Sequence, residues 1–275
     1  MVPQLKLNPN NYFSRAANLR YMSVSQFKGF LPAYGGCEAK SMAELAGLYE
    51  RPDKTAFDEG HYVHAWNQGT LDEFREANPD IYSSRGATAG QLKSNFKHCD
   101  KMIQTLESDP TAMKALAGQK EVIFTAELFG IQWKIMIDSY QPGVGMFGDL
   151  KALKEIDGKF WNKEANRYEN FLDYYGYTLQ MAVYAEIERL ATGRDVWLIP
   201  HLVVVTKQDP PDHEIIYFDY EAIEQQLGIV ERHIERVKAV KSGQAGPERC
   251  ESCDYCRSTK KIKHIKHYRE LDLYS

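Results

Sequence analysis

From Ile131 to Lys151 the chain reads IQWKIMIDSYQPGVGMFGDLK. Ile131, Trp133, Ile135 and Ile137 alternate with Gln132, Lys134, Met136 and Asp138. A period of two predicts a half-buried strand with Asp138 on its less apolar face. Gln141-Pro142-Gly143 signals a turn, and a second strand follows from Met146 to Ala152. In that strand Asp149 and Lys151 share one face and Leu150 takes the other. Paired as a hairpin, the two strands bring Asp138, Asp149 and Lys151 to one patch. Neighbouring carboxylates repel unless a divalent cation lies between them, and Mg²⁺ prefers oxygen ligands. Such a cation polarises a phosphate and lowers the pKa of a bound water, while a lysine orients that water or neutralises developing charge. The competing reading is a surface hairpin with ordinary exposed ion pairs, since Asp-x-Lys is short and common.

Working outward, Thr55-Ala56-Phe57-Asp58 predicts the start of a helix that carries Gly60 and His64. The glycine allows another backbone to approach closely, and His64 has a neutral imidazole available as a ligand near pH 7. His61 competes for that role, and a satisfied histidine on an amphipathic helix is the plain alternative. Downstream, Phe171 to Thr192 reads as a helix with Gln180 and Tyr184 on one face.

Together these motifs resemble the PD-(D/E)XK nuclease superfamily. An Asp ending one strand, then an Asp-x-Lys in the next, matches its signature. Gly60-His61-Tyr62-Val63-His64 looks like the G-x-x-x-H helix of the RecB-like and RecE-like branch, and Gln180-Met181-Ala182-Val183-Tyr184 looks like its Q-x-x-x-Y helix. The matches run from about Tyr21 to Tyr184 in the family's order and point to phage-type RecE-like exonucleases (exodeoxyribonuclease VIII type). Ile137 stands where the superfamily often has proline.

The resemblance implies an α/β, restriction-endonuclease-like core with a central mixed sheet flanked by helices. It implies Mg²⁺-dependent (or Mn²⁺-dependent) hydrolysis of DNA, as in the end resection of phage or prophage recombination. Asp138 and Asp149 would hold the metal with the Leu150 carbonyl, His64 would complete the shell and Lys151 would serve the attacking water. Gln180 and Tyr184 would support the site, and Gln180 would hold DNA phosphate or fix a catalytic group. Glu121 occupies the place of a glutamate seen before the first catalytic strand, an exposed strand-edge carboxylate being the alternative. By the same resemblance the partners are double-stranded DNA ends, a homo-oligomeric ring of the chain itself and a single-strand annealing protein. Two rivals stand beside this reading: an iron–sulfur RecB-like nuclease of DNA repair or CRISPR adaptation, and a non-catalytic DNA-binding module stapled by metal.

Cys250, Cys253 and Cys256 lie at two-residue gaps, so one tight turn can aim all three thiols at a metal. Cys37 is the candidate fourth ligand. Some RecB-like nucleases, of the AddB type and the CRISPR-associated adaptation type, clamp their termini with an iron–sulfur cluster held by one early and three late cysteines. The last gap is shorter here than in those families. A [4Fe-4S] cluster, zinc completed by Cys37 or by His264 or His267, and free thiols all remain open. Cys99 falls on an apolar helical stripe and reads as a core thiol. Arg257 to Arg269 holds six basic residues, two histidines and no acid, either a DNA footprint or a solvated tail.

With 275 residues the chain suits one nuclease domain: a helical part over 1–119, a catalytic sheet core over 120–220, and a C-terminal part over 221–275. A net charge of −4 leaves phosphate to a local basic patch and a metal site. No apolar leader or membrane-length run is present, and the clustered cysteines argue against a secreted disulfide framework. The expectation is a cytoplasmic protein that does not engage membranes. Ser23 to Gln26 forms a capping box. Residues 1–20 read as an irregular lead-in, 79–90 as a surface loop near the DNA path, Thr88 as a helix cap and 155–170 as a mobile connection. Val196–Thr206 reads as a central strand, Ile215–Asp219 as another strand and Glu221–Val240 as a long amphipathic helix.

Overall fold

The computed structural model describes residues 5–50, 55–262 and 264–270, with the side chains of 55–57 outside that description. The predicted Thr55 cap and Lys263 of the basic segment therefore fall outside it. The helices in chain order are α1 Pro9–Tyr12, α2 Arg15–Arg20, α3 Val24–Phe30, α4 Glu38–Ala46, α5 Thr55–Gln68 and α6 Leu71–Ala77. They continue as α7 Ser94–Ser108, α8 Pro110–Ala115, α9 Phe171–Tyr174, α10 Tyr177–Thr192, α11 Tyr220–Lys241 and α12 Asp254–Ser258. The strands are β1 Val122–Leu128, β2 Ile131–Ile137, β3 Ser139–Gln141 and β4 Met146–Leu153, then β5 Phe160–Asn162, β6 Arg167–Glu169, β7 Ile199–Thr206 and β8 His213–Tyr217.

The architecture is α/β around a mixed sheet of order β3-β4-β7-β8. Strands β4 and β7 run parallel, while β3 and β8 join antiparallel at the two edges. Alternation along β7 divides the interior. Leu202 and Val204 face the core shared with α3, α10 and α11, and Val203 and Val205 face the one built by α5, α7 and α8. All four are fully buried, and each contributes about 1.5–3 kcal/mol by leaving water. This explains the nearly unbroken apolar run in the sequence: both faces of the sheet are covered. On β4, Leu150 goes to the α5–α7 side, whereas Phe147 and Leu153 go to the α10 side.

Several sequence expectations need correction. The hairpin that carries the signature is not made by residues 131–137. Strand β2 pairs with β1, the strand breaks at Asp138, and of this stretch β3 alone pairs with β4. Strand β2 is also covered on both faces, because Lys134 is only 1% exposed. Residues 9–20 are the cover rather than an irregular lead-in. Asn8 caps α1 with a reciprocal capping box and Ser14 caps α2. Lys134 Nζ donates to the Tyr12 carbonyl and to Asn18 Oδ1, which satisfies an ammonium that burial would otherwise penalise.

Ser23 caps α3 by accepting from the Gln26 amide, but the Gln26 side chain turns away to the Asn18 carbonyl, so only half the box forms. Helix α7 starts at Ser94, after Lys93, and Thr88 belongs to a 3-10 turn instead. Residues 155–170 contain the β5–β6 hairpin. The helix expected from Phe171 is broken at Gly176, whose φ of 63° ends α9 and opens α10. A Cβ there would lie 2.8 Å from both Tyr34 and Lys28 side-chain atoms, so glycine is required on two counts.

Candidate active site

Because Ser139 is registered with Gly148, the break at Asp138 falls level with Asp149. Gly148 permits this close packing: a Cβ would sit 2.5 Å from the Ala115 carbonyl. Asp138, 6% exposed, accepts from the Leu150 amide at 2.8 Å through Oδ2. The same oxygen lies 3.5 Å from His64 Nδ1. A strand residue sends its amide and carbonyl to the same edge, so the Leu150 carbonyl shares the edge that faces Asp138.

His64, Glu121 and Asp138 offer ligand atoms that all lie within 4.8 Å of one another. Glu121 therefore stands in the centre of the site, not at an exposed strand edge. It takes a left-handed φ of 53° just before β1, a conformation that costs a non-glycine residue energy and is often retained for function. Burial, followed by the nearby Asp138 charge, pushes its carboxyl up to about 7.

Asp149 is not part of that three-residue set. It is 2% exposed, with Gln180 Nε2 donating to Oδ1 at 2.9 Å and Lys151 Nζ 2.5 Å from Oδ2. The Lys151 ammonium is thus the group that faces this buried oxygen. Burial raises the Asp149 pKa, with Asp138 adding to the effect and Lys151 opposing it. For Lys151, burial works against the charge, but Asp149 and Asp138 outweigh it and hold the ammonium protonated. Tyr184 contacts Gln180, and burial keeps its hydroxyl protonated, with Tyr12 and the two aspartates adding to the effect.

His64 and Asp138 thus form one donor set with Glu121, and the Asp149–Lys151 pair lies on the neighbouring strand, level with Asp138. The fit to a divalent cation rests on the His64–Glu121–Asp138 donor set.

A family model described as "PDDEXK-like domain of unknown function (DUF3799)" matches residues 23–259. The chain belongs to this PDDEXK-like family. It is accordingly a member of the PD-(D/E)XK nuclease superfamily. The crystal structure of a "putative exonuclease" from Eubacterium rectale is similar, with 39% identity and a TM-score of 0.89 over 99% of this chain and 100% of that one. Comparison with curated proteins gives no match.

The PDDEXK-like centre also uses residues that the motifs did not single out. Asn67 and Gln68 lie three and four positions after His64 on α5 and so share its face. Asn67 donates to Ser139 Oγ at 3.4 Å and accepts from Lys120 at 2.7 Å, while Gln68 hydrogen-bonds Glu121. Helical spacing from His64 was the available signal. Gly60 differs from expectation, since no atom lies within 4 Å of a Cβ placed there; no backbone approaches it. His61 and His64 line a cavity of about 380 Å³ with Gln68 and Phe74.

The second cluster forms far along the chain. Sulfur ligand atoms of Cys37, Cys250, Cys253 and Cys256 lie within 4.8 Å of one another. Cys37 Sγ is 3.6 Å from Cys256 Sγ, and Cys250 Sγ is 3.9 Å from it. Amides of Cys253 and Cys256 donate to the sulfurs of Cys250 and Cys253 at 3.3 and 3.4 Å. The Cys250 thiol is lowered to about 6: burial opposes this, but donors from Ser252 and Cys253 win. Among the described residues the fourth sulfur comes from Cys37, and neither His264 nor His267 joins the set. Around it, Asp254 binds Lys40 at 2.7 Å, and Glu38 binds Arg236 and the Glu248 amide. Cys99 is buried apart from this group, as a core thiol. No described helix is long and apolar enough to cross a membrane.

Proposed function

We propose that the chain is a divalent-metal-dependent deoxyribonuclease that degrades DNA from duplex ends. The observation that carries this reading is the convergence of His64, Glu121 and Asp138 on one point, with the buried Asp149–Lys151 pair level with Asp138 on the neighbouring strand. Binding alone does not call for buried acids of this number, because they repel phosphate.

His64, Glu121, Asp138 and Asp149 would hold Mg²⁺ or Mn²⁺ with the Leu150 carbonyl. Such an ion supplies a polarised phosphoryl oxygen and a bound water of lowered pKa. The chain's own residues do the rest. Gln180 fixes the Asp149 carboxylate, Leu150 fixes Asp138, and Lys151 keeps a positive charge where negative charge develops.

The four thiols suit tetrahedral zinc or a [4Fe-4S] cluster that ties residue 37 to residues 250–256. The exonuclease specificity draws on the phage RecE-like resemblance and on the name given to the Eubacterium rectale protein. Ring assembly around DNA and work beside a single-strand annealing protein draw on the resemblance alone.

The test is Mg²⁺-dependent digestion of end-labelled linear duplex against closed circular DNA of the same sequence. Loss of the linear substrate only is expected. Nicking of circles at a comparable rate would make the enzyme an endonuclease, and no hydrolysis with either metal would overturn the reading.

A further inference from the structure

Two ammonium groups lie near the Tyr177 ring at the start of α10. Lys151 Nζ lies 5.7 Å from the ring centroid and Lys28 Nζ 5.8 Å. Lys28 comes from α3 and is fixed there by donating to the Tyr175 carbonyl at 2.7 Å. From Tyr177 the aromatic surface continues outward. Tyr175 follows at 5.6 Å, and Phe160 lies 5.2 Å from Tyr175 and stacks on Tyr174 at 4.9 Å. Phe160 belongs to β5, whose next residue, Trp161, stands on the opposite face and pairs with Tyr168 of β6 at 5.2 Å.

The outer rings keep much of their surface in water: Tyr175 is 40% exposed, Trp161 46% and Tyr168 65%. Yet the hairpin that carries two of them is anchored. Asn162, 7% exposed, donates to the Ala33 carbonyl at 3.1 Å and to Glu169 at 2.8 Å. It also accepts from the Glu164 and Ala165 amides. A hairpin held in place while its largest rings face solvent is a surface shaped for a ligand rather than for the core.

The ligand must offer flat apolar faces along its length and negative charge at the Lys28–Lys151 end. Single-stranded DNA meets both demands, whereas a duplex keeps its base faces stacked inside. Between Lys154 and Glu169 the chain has four acids and four bases, so stacking rather than counterion release must supply the attraction there. We infer that Tyr175, beside Tyr177, and the Trp161–Tyr168 pair on the other face of the hairpin are separate stacking sites for the bases of a single DNA strand that passes the hairpin to the Asp149–Lys151 centre. This deepens the nuclease reading, on which it rests for the strand's destination.

The experiment measures anisotropy of a labelled oligothymidine and of a labelled duplex with the full chain, without added divalent metal. Wild-type protein is expected to bind the oligothymidine with a shallow salt dependence. The W161A/Y168A double variant should bind it roughly tenfold or more weakly, and W161F/Y168F should recover most of the affinity because rings of similar shape remain. Duplex binding should be the same in all three. Tyr175→Leu, outside the hairpin, should show the same selective loss and serves if the double alanine variant misfolds. Failure of wild type to bind the oligothymidine, wild-type binding by both W161A/Y168A and Y175L, or equal loss on duplex would each overturn the stacking sites. Absence of Mg²⁺-dependent hydrolysis with this selective loss intact would overturn the nuclease reading and leave the stacking sites standing.

Discussion

Gln180 Nε2 donates to Asp149 Oδ1 at 2.9 Å, which ties α10 to the central strand at the carboxylate itself. One neutral donor on Oδ1 and one cation on Oδ2 therefore orient Asp149 from two sides. An acid oriented before any cation arrives spends less freedom on binding it.

Gln180→Ala should accordingly leave the fold intact and weaken Mg²⁺ dependence or turnover by roughly 10–100-fold. Gln180→Glu should do worse near neutral pH, since it adds a negative charge to a centre already rich in acids. A Mg²⁺ titration of duplex digestion checks both. Unchanged metal dependence in Gln180→Ala would remove the orienting role.

Asp149→Asn and Lys151→Met should each abolish hydrolysis while DNA binding persists, because both groups act at the reacting phosphate. Asp138→Asn keeps an acceptor for the Leu150 amide but removes a charge that repels Glu121 and Asp149. It should raise Tm in metal-free buffer, by about 2–4 °C for each kcal/mol of relieved repulsion, and lower it relative to wild type when Mg²⁺ is added. Thermal melts with and without Mg²⁺ give the sign.

Burial pushes the Lys134 ammonium down from 10.5 to about 8. Between those values the unfolded chain still holds a proton that the native chain has released. Native stability contributed by this group therefore rises with pH through the window, on the order of 3 kcal/mol in all at ~1.4 kcal/mol per pH unit. Lys134→Met fills the same space without the charge and should flatten the rise in stability between about pH 8 and about pH 10. Parallel pH profiles for the two proteins would show that Lys134 does not titrate in that window.

Cys37→Ser should lose bound metal and several degrees of Tm, while Cys99→Ser should keep the metal, because only Cys37 meets the Cys250–Cys256 knuckle. A metal that closes so long a loop restricts the unfolded chain strongly. Elemental analysis separates the donors' occupants: iron with sulfide for a cluster, stoichiometric zinc for the alternative. Equal metal in both variants would end the case for the clamp.

The sheet and its signature were readable because their constraints are local. Alternation at Ile131–Ile137, the turn at Pro142–Gly143 and the unbroken apolar run at Leu202–Val205 each follow from a few neighbouring residues. The fold class rests on these, and the superfamily on the resemblance carried by Asp138, Asp149-Leu150-Lys151, Gly60–His64 and Gln180–Tyr184. What stayed hidden depends on distant partners. Lys134 looked solvent-facing because nothing local reveals that Tyr12 and Asn18 cover it. For Glu121 the sequence left two readings open, the family's glutamate or an edge carboxylate, because its left-handed backbone leaves no mark in residue type. Asn67 and Gln68 were within reach of helical spacing, but only once His64 had been placed against Asp138.

The ammonium of Lys241 donates to the Asn18 and Tyr21 carbonyls and to Gln26 Oε1, so all three of its protons are engaged by the segment that covers β2. On a ribosome, residues 18–26 leave the tunnel more than two hundred residues before that lysine does. Parallel pairing of β4 with β7, 53 residues further on, imposes a shorter wait on the strand that carries Asp149 and Lys151. The cover over β2 is thus made early in translation and secured late, and the nascent chain carries its centre unfinished for most of its synthesis.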